Sequence, residues 1–331
     1  MHPIVTHIHP SYRTAFLAWF VTRSLLWVAA ALAGVSPMLD AQDFLNFSGG
    51  PPGWSFVVHG AALLGIYAPH ILAGLGELAL LVGCVAVYRF VRRDQLPQTA
   101  ESATWLWAAS PAMVFTLPAG DWTFAVALAA LALMALGESR HFWAAAALSL
   151  ALWFRPEAIL LWPGAAFLGW KYYQPSKHHA MSIWATTLGP LAAFIAMVLT
   201  AIGMAGRYGV SIRTLQAGSQ WRQPVELGAP LSEMIAAHSA DLLMLAALGV
   251  GLVMMVGYLR QVPKSWPLLA LPCLAWPLVY QPPTAAIAMV LFALPFFGYL
   301  GRAAADPVAE RPLLAASLGG LMLMMLSQGA F

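Results

Sequence analysis

The feature that most constrains this chain is the recurrence of apolar runs long enough to cross a bilayer, which takes about 20 helical residues per span. Runs of this kind, or close to it, occur at Ala15 to Val35, His70 to Val91, Ala103 to Leu117, Trp122 to Leu136, Ser182 to Gly203, Leu242 to Leu259, Trp266 to Tyr280, Ala285 to Leu300 and Leu313 to Met325. With 61% hydrophobic and only 9% charged side chains in 331 residues, the chain holds more apolar surface than one water-soluble core can cover, against about 25% charge in an ordinary soluble domain. Lipid must solvate it. The expectation is an all-α, multi-pass integral membrane protein of about ten transmembrane helices, estimated from span length.

Two long polar stretches, residues 36–69 and 204–241, separate these runs. Neither is charged enough or long enough to be a soluble domain, so residues 1–331 read as a single transmembrane domain. Within the first stretch, Phe56 to Tyr67 is weakly apolar and suits a helix lying flat in the membrane interface. The first apolar run is longer than a signal-peptide core and has no small-x-small cleavage site, so it reads as a retained helix.

The segment from Phe142 to Tyr172 is too long for one span and is interrupted by Arg155-Pro156. Proline removes a backbone donor, and arginine costs about 2.5–3.5 kcal/mol at a helix centre, so two short helices meeting at Arg155 are expected. With a hairpin there, Arg13, Arg89, Arg92, Arg93, Arg140, Lys171, Lys177, Arg260, Lys264, Arg302 and Arg311 fall on one face. The positive-inside rule makes that face cytoplasmic. Asp40, Asp43, Asp121, Arg155, Glu157, Arg207, Arg213, Arg222, Glu226 and Glu233 then share the other face with both long polar stretches. A site is expected on that non-cytoplasmic side.

Several chemistries are disfavoured. Cys84 and Cys273 each lie inside an apolar run, where a thiol behaves as a small hydrophobe, and form no metal-ligand spacing. His178-His179 has no carboxylate or cysteine beside it, so no metal is assigned and no cofactor is expected. The net charge of +3 is small and its basic residues are scattered, unlike a nucleic-acid footprint. Arg23, inside the first run, either snorkels toward the cytoplasmic side or pairs with Glu77 across helices.

Four stretches, read in order, carry a resemblance. Met38-Leu39-Asp40-Ala41 leads into Phe44-Leu45-Asn46-Phe47 and Ser48-Gly49-Gly50. Ala109-Ser110-Pro111-Ala112-Met113-Val114-Phe115 is followed by Ala119-Gly120-Asp121-Trp122-Thr123-Phe124. Arg155-Pro156-Glu157-Ala158 opens a further apolar run, and Tyr208-Gly209-Val210 leads to Gln220-Trp221-Arg222. The order resembles the PIG-V-like family, bacterial relatives of the second mannosyltransferase of glycosylphosphatidylinositol assembly, within the GT-C superfamily of polytopic glycosyltransferases. The family's Arg-Trp before the aspartate, its Tyr-Thr-Glu, the glycine after its Arg-Pro and its late Arg-Tyr are absent, and only Leu294-Pro295-Phe296 stands near the last of these.

The resemblance implies a GT-C-like bundle in a bacterial inner membrane, with interfacial helices in the first non-cytoplasmic loop. It implies transfer of a hexose, mannose foremost, from a polyprenyl-phosphate donor to an acceptor it does not identify. Inverting transfer needs one carboxylate to take the acceptor's proton. Asp40 stands at the family's aspartate and is the candidate base, with capping of a short helix as the alternative role for it and for Asp43. Arginine suits the departing phosphate through its planar fork, so Arg155, Gln220, Trp221 and Arg222 join Asp121 and Asp43 as candidate substrate-binding residues. For Arg155 the alternative is an ion pair with Asp121 or Glu157, for Asp121 it is helix N-capping, and for Trp221-Arg222 a place at the membrane interface. Two other functions compete: an inactive relative that scaffolds another membrane protein, and a lipid transporter or flippase. The latter needs polar midplane residues in paired broken helices, and one broken segment with no second copy is visible.

Overall fold

The structure, a computed structural model, describes residues 10–36, 51–63, 65–117, 120–171, 180–208, 249, 252–253, 256–257, 263, 265–275 and 288–328. All regular structure among these residues is helical. The α-helices are α1 (Pro10–Leu32), α2 (Pro52–Ala62), α3 (Ala68–Asp94), α4 (Pro97–Ala108), α5 (Asp121–Gly137), α6 (His141–Phe154), α7 (Trp162–Lys171), α8 (Ala180–Tyr208), α9 (Ser265–Ala275), α10 (Leu294–Ala303) and α11 (Pro307–Gln328). Short 3₁₀ turns occupy Gly65–Tyr67, Pro111–Thr116, Pro156–Leu161 and Ala288–Phe292.

Among the described residues, three helices are long and apolar enough to cross a membrane: Tyr12–Leu32 in α1, Ala68–Asp94, and Val308–Met325 in α11. Only 11% of the α11 window is buried against protein, leaving apolar surface that lipid solvates and water does not. The middle of the bundle belongs to α5, which is apolar on all sides and buries 12 of its 17 residues. A helix without a polar face must be surrounded, and α5 is flanked by α3 and α6.

Several expected spans are interrupted. Ala103 to Leu117 is not one helix: α4 ends at Ala108, Ser110 is extended (φ −57°, ψ 135°), and a 3₁₀ turn follows from Pro111. Ala285 to Leu300 is split at Ala293 between a 3₁₀ turn and α10, whose second residue is Pro295. Pro111 disfavours a helical Ser110 before it, and Pro295 occupies the first turn of α10, where its missing donor leaves no helical bond unmade. The break at Arg155 occurs as expected, with φ −143° and ψ 110° ahead of Pro156. The expected span Leu242 to Leu259 falls outside the described residues except at 249, 252–253 and 256–257, and the part of Trp266 to Tyr280 beyond α9 also lies outside them.

Helix ends and close approaches set the register. α1 ends with Gly34 at φ 69°, its amide and that of Val35 closing back onto Ala31 and Ala30. α5 ends in the same motif, with Ser139 at φ 60° and hydrogen bonds from Ser139 to Leu136 and from Arg140 to Ala135. Gly83 of α3 receives the edge of the Trp107 indole; a Cβ there would stand 2.9 Å from it. Trp107 is fully buried and donates to the Leu291 carbonyl at 3.1 Å, anchoring the 288–292 turn. Gly301 lets α10 touch the α4 backbone, where a Cβ would meet the Thr99 carbonyl at 2.5 Å.

The buried charge of the first span is paired. Glu77 on α3 accepts from Arg23 Nη2 at 2.6 Å and Nε at 2.9 Å, and from the Trp19 and Trp27 indoles at 3.0 Å each. Arg23 Nη1 donates to Thr116 Oγ1 at 2.8 Å. Of the two expectations for Arg23, pairing with Glu77 is the one observed. Trp19, Arg23 and Trp27 are spaced by four residues and therefore share one face of α1.

Removing one partner of such a pair strands the other charge, at about 3–5 kcal/mol. Arg23→Met and Glu77→Met should each lower the unfolding temperature in detergent, and the double variant should be more stable than either single one. Ser139→Gly should raise stability by up to about 1 kcal/mol, because glycine carries no left-handed penalty; thermal unfolding measures it.

Candidate functional site

Arg155 is where helical geometry stops and a charge remains. Its extended backbone ends α6, Pro156 starts the following 3₁₀ turn, and its guanidinium turns back over the first residues of α5. Nη2 lies 2.8 Å from Asp121 Oδ2, and Nη1 lies 3.8 Å from Glu157 Oε1. The guanidinium carbon sits 4.2 Å from the centroid of the Trp122 ring, within cation–π range, and that ring packs against Phe292 at 5.9 Å. The pairings named as alternatives for Arg155 are both present. Asp121 is the first residue of α5 rather than its N-cap, which is Gly120. Its Oδ1 nevertheless accepts the Trp122 amide at 2.8 Å, and its charge favours the positive end of the helix.

Three 3₁₀ turns frame this spot. The 111–116 and 156–161 turns both contact the 288–292 turn, which also touches α5, and α9 packs on the 156–161 turn. α2, from the first polar stretch, lies alongside. Trp54, Val58 and Ala61 form its buried face with Ala68, Leu72, Phe124 and Phe154, and a Cβ on Gly53 would stand 2.7 Å from the Trp153 carbonyl. Phe56, on the opposite side, is exposed. The helix begins at Pro52, four residues before the expected interfacial segment, and His59 bonds the Ser55 carbonyl of its own helix. At least this part of the first polar stretch therefore adjoins the helix that ends at Arg155.

The two ionic centres differ in saturation. Every charged atom of the Arg23–Glu77 centre has partners, and the cavity beside it, bounded by Trp19, Thr22, Arg23, Cys84 and Trp107, measures about 10 Å³, room for no more than one water. It is a structural lock. Around Arg155, two atoms are buried without a hydrogen-bond partner among the described residues: Arg155 Nε and Glu157 Oε2. One cation also faces two carboxylates, so the cluster carries a net negative charge when all three are ionised. Burial pushes the Glu157 carboxyl, in the turn between helices, above the ordinary carboxylate range, with Arg155 drawing it part of the way back.

The ends of α5 are electrostatically opposite. At its start stand Asp121, Arg155 and Glu157; at its finish Arg89 meets Glu138 at 2.7 Å and Arg140 meets Glu138 at 3.4 Å. Seventeen residues of helix separate them, roughly 25 Å at 1.5 Å per residue, close to the hydrocarbon thickness of a bilayer.

Of the sequence-derived candidates, Asp121 and Arg155 are brought into contact. Asp40, Asp43, Gln220, Trp221 and Arg222 lie outside the described residues, as do His178 and His179. Among the described residues no three His, Cys, Asp or Glu side chains form a group able to hold a metal. Sequence reasoning named Glu157 only as a pairing partner and did not single out Trp122. The available signals were an acid two residues after an arginine across a proline, and an aromatic next to Asp121. No protein-family model matches the chain, and no curated protein matches it closely enough to mark a relative.

The geometry ranks the two carboxylates. Asp121→Asn removes the short partner of Arg155 and should lower stability by somewhat less than the roughly 3–5 kcal/mol of a fully buried pair. Glu157→Gln removes a charge held only at 3.8 Å and should change stability by less than about 1 kcal/mol, since an amide escapes the cost of burying a carboxylate. Thermal unfolding of both variants in the same detergent tests the ranking.

Proposed function

We propose that this chain is a membrane glycosyltransferase of the GT-C type, a bundle of about ten transmembrane helices as span length suggests. It moves a hexose, mannose foremost, from a polyprenyl-phosphate donor to a non-cytoplasmic acceptor with inversion. The observation that carries the reading is the incompletely satisfied Asp121–Arg155–Glu157 cluster at the end of α5 opposite the Arg89–Glu138–Arg140 cluster. By the positive-inside rule the arginine-rich end is cytoplasmic, which gives the Asp121 end to the other side. The resemblance of the motif order to the PIG-V-like family supports the choice of chemistry, and a bacterial inner membrane is the corresponding location.

In this reading Asp40 takes the proton from the acceptor hydroxyl as that oxygen attacks the anomeric carbon. The bond from that carbon to the phosphate oxygen breaks, and polyprenyl phosphate leaves with the electron pair. Its charge is met by Arg222, with Gln220, Trp221 and Asp43 completing the donor site. Asp121 and Arg155 serve the sugar rather than the phosphate, because Arg155 already faces two carboxylates.

A second reading has its own observation. The Asp121–Arg155 pair at 2.8 Å, stacked on Trp122, is also how a bundle would fasten a helix break, and an inactive scaffold would keep it. Radiolabelled polyprenyl-phosphate mannose, offered to the purified protein with membrane extract as acceptor source, separates the two. Transfer by the wild type, reduced at least about 100-fold in Asp40→Asn as general-base loss implies, is the expected result. Transfer that survives this change would remove Asp40 from the base role. No transfer from mannose, glucose or galactose donors would put the scaffold ahead.

A further inference from the structure

We propose that the arginine end of α5 binds the headgroup of an anionic phospholipid, with the phosphate held among Arg89, Arg93 and Arg140. This site lies at the end of α5 opposite Asp121 and stands whether or not the chain transfers sugar. Three guanidinium groups are brought to one turn. α5 closes at Gly137, Ser139 takes the left-handed conformation, and α6 starts at His141. Within that turn Glu138 meets Arg89 Nη2 at 2.7 Å through Oε1 and Arg140 Nε at 3.4 Å through Oε2. Arg93 lies one helical turn beyond Arg89 on the same face of α3 and reaches the same place. A Cβ on Gly137 would stand 3.6 Å from its Cδ and 3.7 Å from its Nη1.

Charge does not balance there. Three arginines face one carboxylate, and adding Arg92 and Asp94 of the same α3 terminus makes four against two, so positive charge is in excess either way. The Arg89 and Arg140 side chains keep 44% and 66% exposure, which presents that excess to the surroundings. Arg140 engages Glu138 through Nε, and the Nη1–Nη2 end of its planar fork is a separate donor edge suited to phosphate oxygens. The adjoining surface selects among anions. Phe142 and Trp143, directly after Arg140, are both exposed and stand edge to face at 5.7 Å. Exposed aromatic rings beside arginines, at the end of a helix of bilayer length, mark headgroup level. A lipid covers the rings with its acyl part while its phosphate meets the guanidinium groups; a soluble phosphate compound would meet the charges and leave the rings in water. A zwitterionic headgroup brings an ammonium to a turn that is already positive, and a headgroup of net negative charge does not.

The test uses the full chain in detergent, with bound lipid counted by native mass spectrometry in mixtures of phosphatidylglycerol and phosphatidylcholine of identical acyl chains. A basic residue beside an anionic lipid corresponds to about a fivefold gain. The wild type should therefore retain phosphatidylglycerol over phosphatidylcholine by roughly 25-fold for an excess of two charges. Arg140→Gln should cut that preference about fivefold, and Arg93→Gln combined with Arg140→Gln should nearly abolish it. Arg140→Lys, which keeps the charge, should retain most of it, so a loss confined to the glutamine variant is not a lost fold. Arg311→Gln, at an exposed arginine of α11 outside this turn, should leave it unchanged. No preference in the wild type overturns the proposal, as does a lysine variant as weak as the glutamine one. A loss in Arg311→Gln as large as in Arg140→Gln would mean diffuse surface charge rather than a site. Displacement of the lipid by an equal concentration of glycerol phosphate would make the ligand a soluble phosphate and equally overturn it.

Discussion

A buried arginine and the partly buried glutamate it pairs with, set between apolar helices, are the constraint around which the first part of this molecule is organised. Neither charge survives alone in such surroundings, where an unpaired ion costs several kcal/mol even after relaxation. The cost is offset here by saturation. Glu77 takes hydrogen bonds from Arg23, Trp19 and Trp27, and Arg23 spends its remaining terminal nitrogen on Thr116. The pair thus specifies more than α1 against α3. Through Thr116 it fixes the 111–116 turn, whose carbonyl at Thr116 accepts from Thr123 Oγ1 at 3.0 Å, and Thr123 in turn accepts the Gly120 amide at 3.3 Å. A continuous chain of polar contacts therefore runs from the middle of the first span to the start of α5, where Asp121 holds Arg155.

Prolines decide where the bundle departs from simple spans. Pro111 and Pro156 each follow an extended residue and Pro295 sits in the first turn of α10, and near each the chain substitutes a 3₁₀ turn for part of an α-helix, whereas Pro190, Pro272 and Pro312 lie inside helices. Such turns leave backbone groups unpaired by the regular ladder, which is tolerable only where other protein groups supply partners. Trp107 does so for Leu291, and Ser317 of α11 does so for Ala109 at 3.0 Å. The turns also bring side chains together that straight helices would keep apart. Arg155, Trp122 and Phe292 stand in contact because three breaks meet at one end of α5.

How much of this could be read from residues alone depended on the range of the interaction. A charge inside an apolar run demands a partner, so Arg23 with Glu77, and Arg155 with Asp121 or Glu157, were legible as pairs. The break at Arg155-Pro156 was legible for the same local reason. The breaks at Pro111 and Ala293 were not, because hydropathy averages over a proline and reports the run as continuous. Thr116 as a ligand of Arg23 was out of reach: a threonine 93 positions away carries no sequence signal of the contact. The same holds for the Trp122 face under Arg155, which depends on how α5 and α6 are rotated about their axes. The candidate base and the Gln220-Trp221-Arg222 segment were read from order of motifs alone, which carries no information about packing.

The two ionic centres differ in how fully their charged atoms are satisfied. Both pair an arginine with a carboxylate, and both adjoin aromatic side chains. The first has one carboxylate for one guanidinium, four donor groups around that carboxylate, and space for no more than one water. The second has two carboxylates for one guanidinium and, among the described residues, a donor and an acceptor without partners. A lock for a helix break needs only Asp121; adding Glu157 brings a second carboxylate and a buried oxygen without a partner among the described residues. Selection for stability alone favours an uncharged residue at that position, since the burial of an unpaired carboxylate oxygen opposes folding. The excess carboxylate is therefore the feature of this end of the bundle that packing among the described residues does not explain.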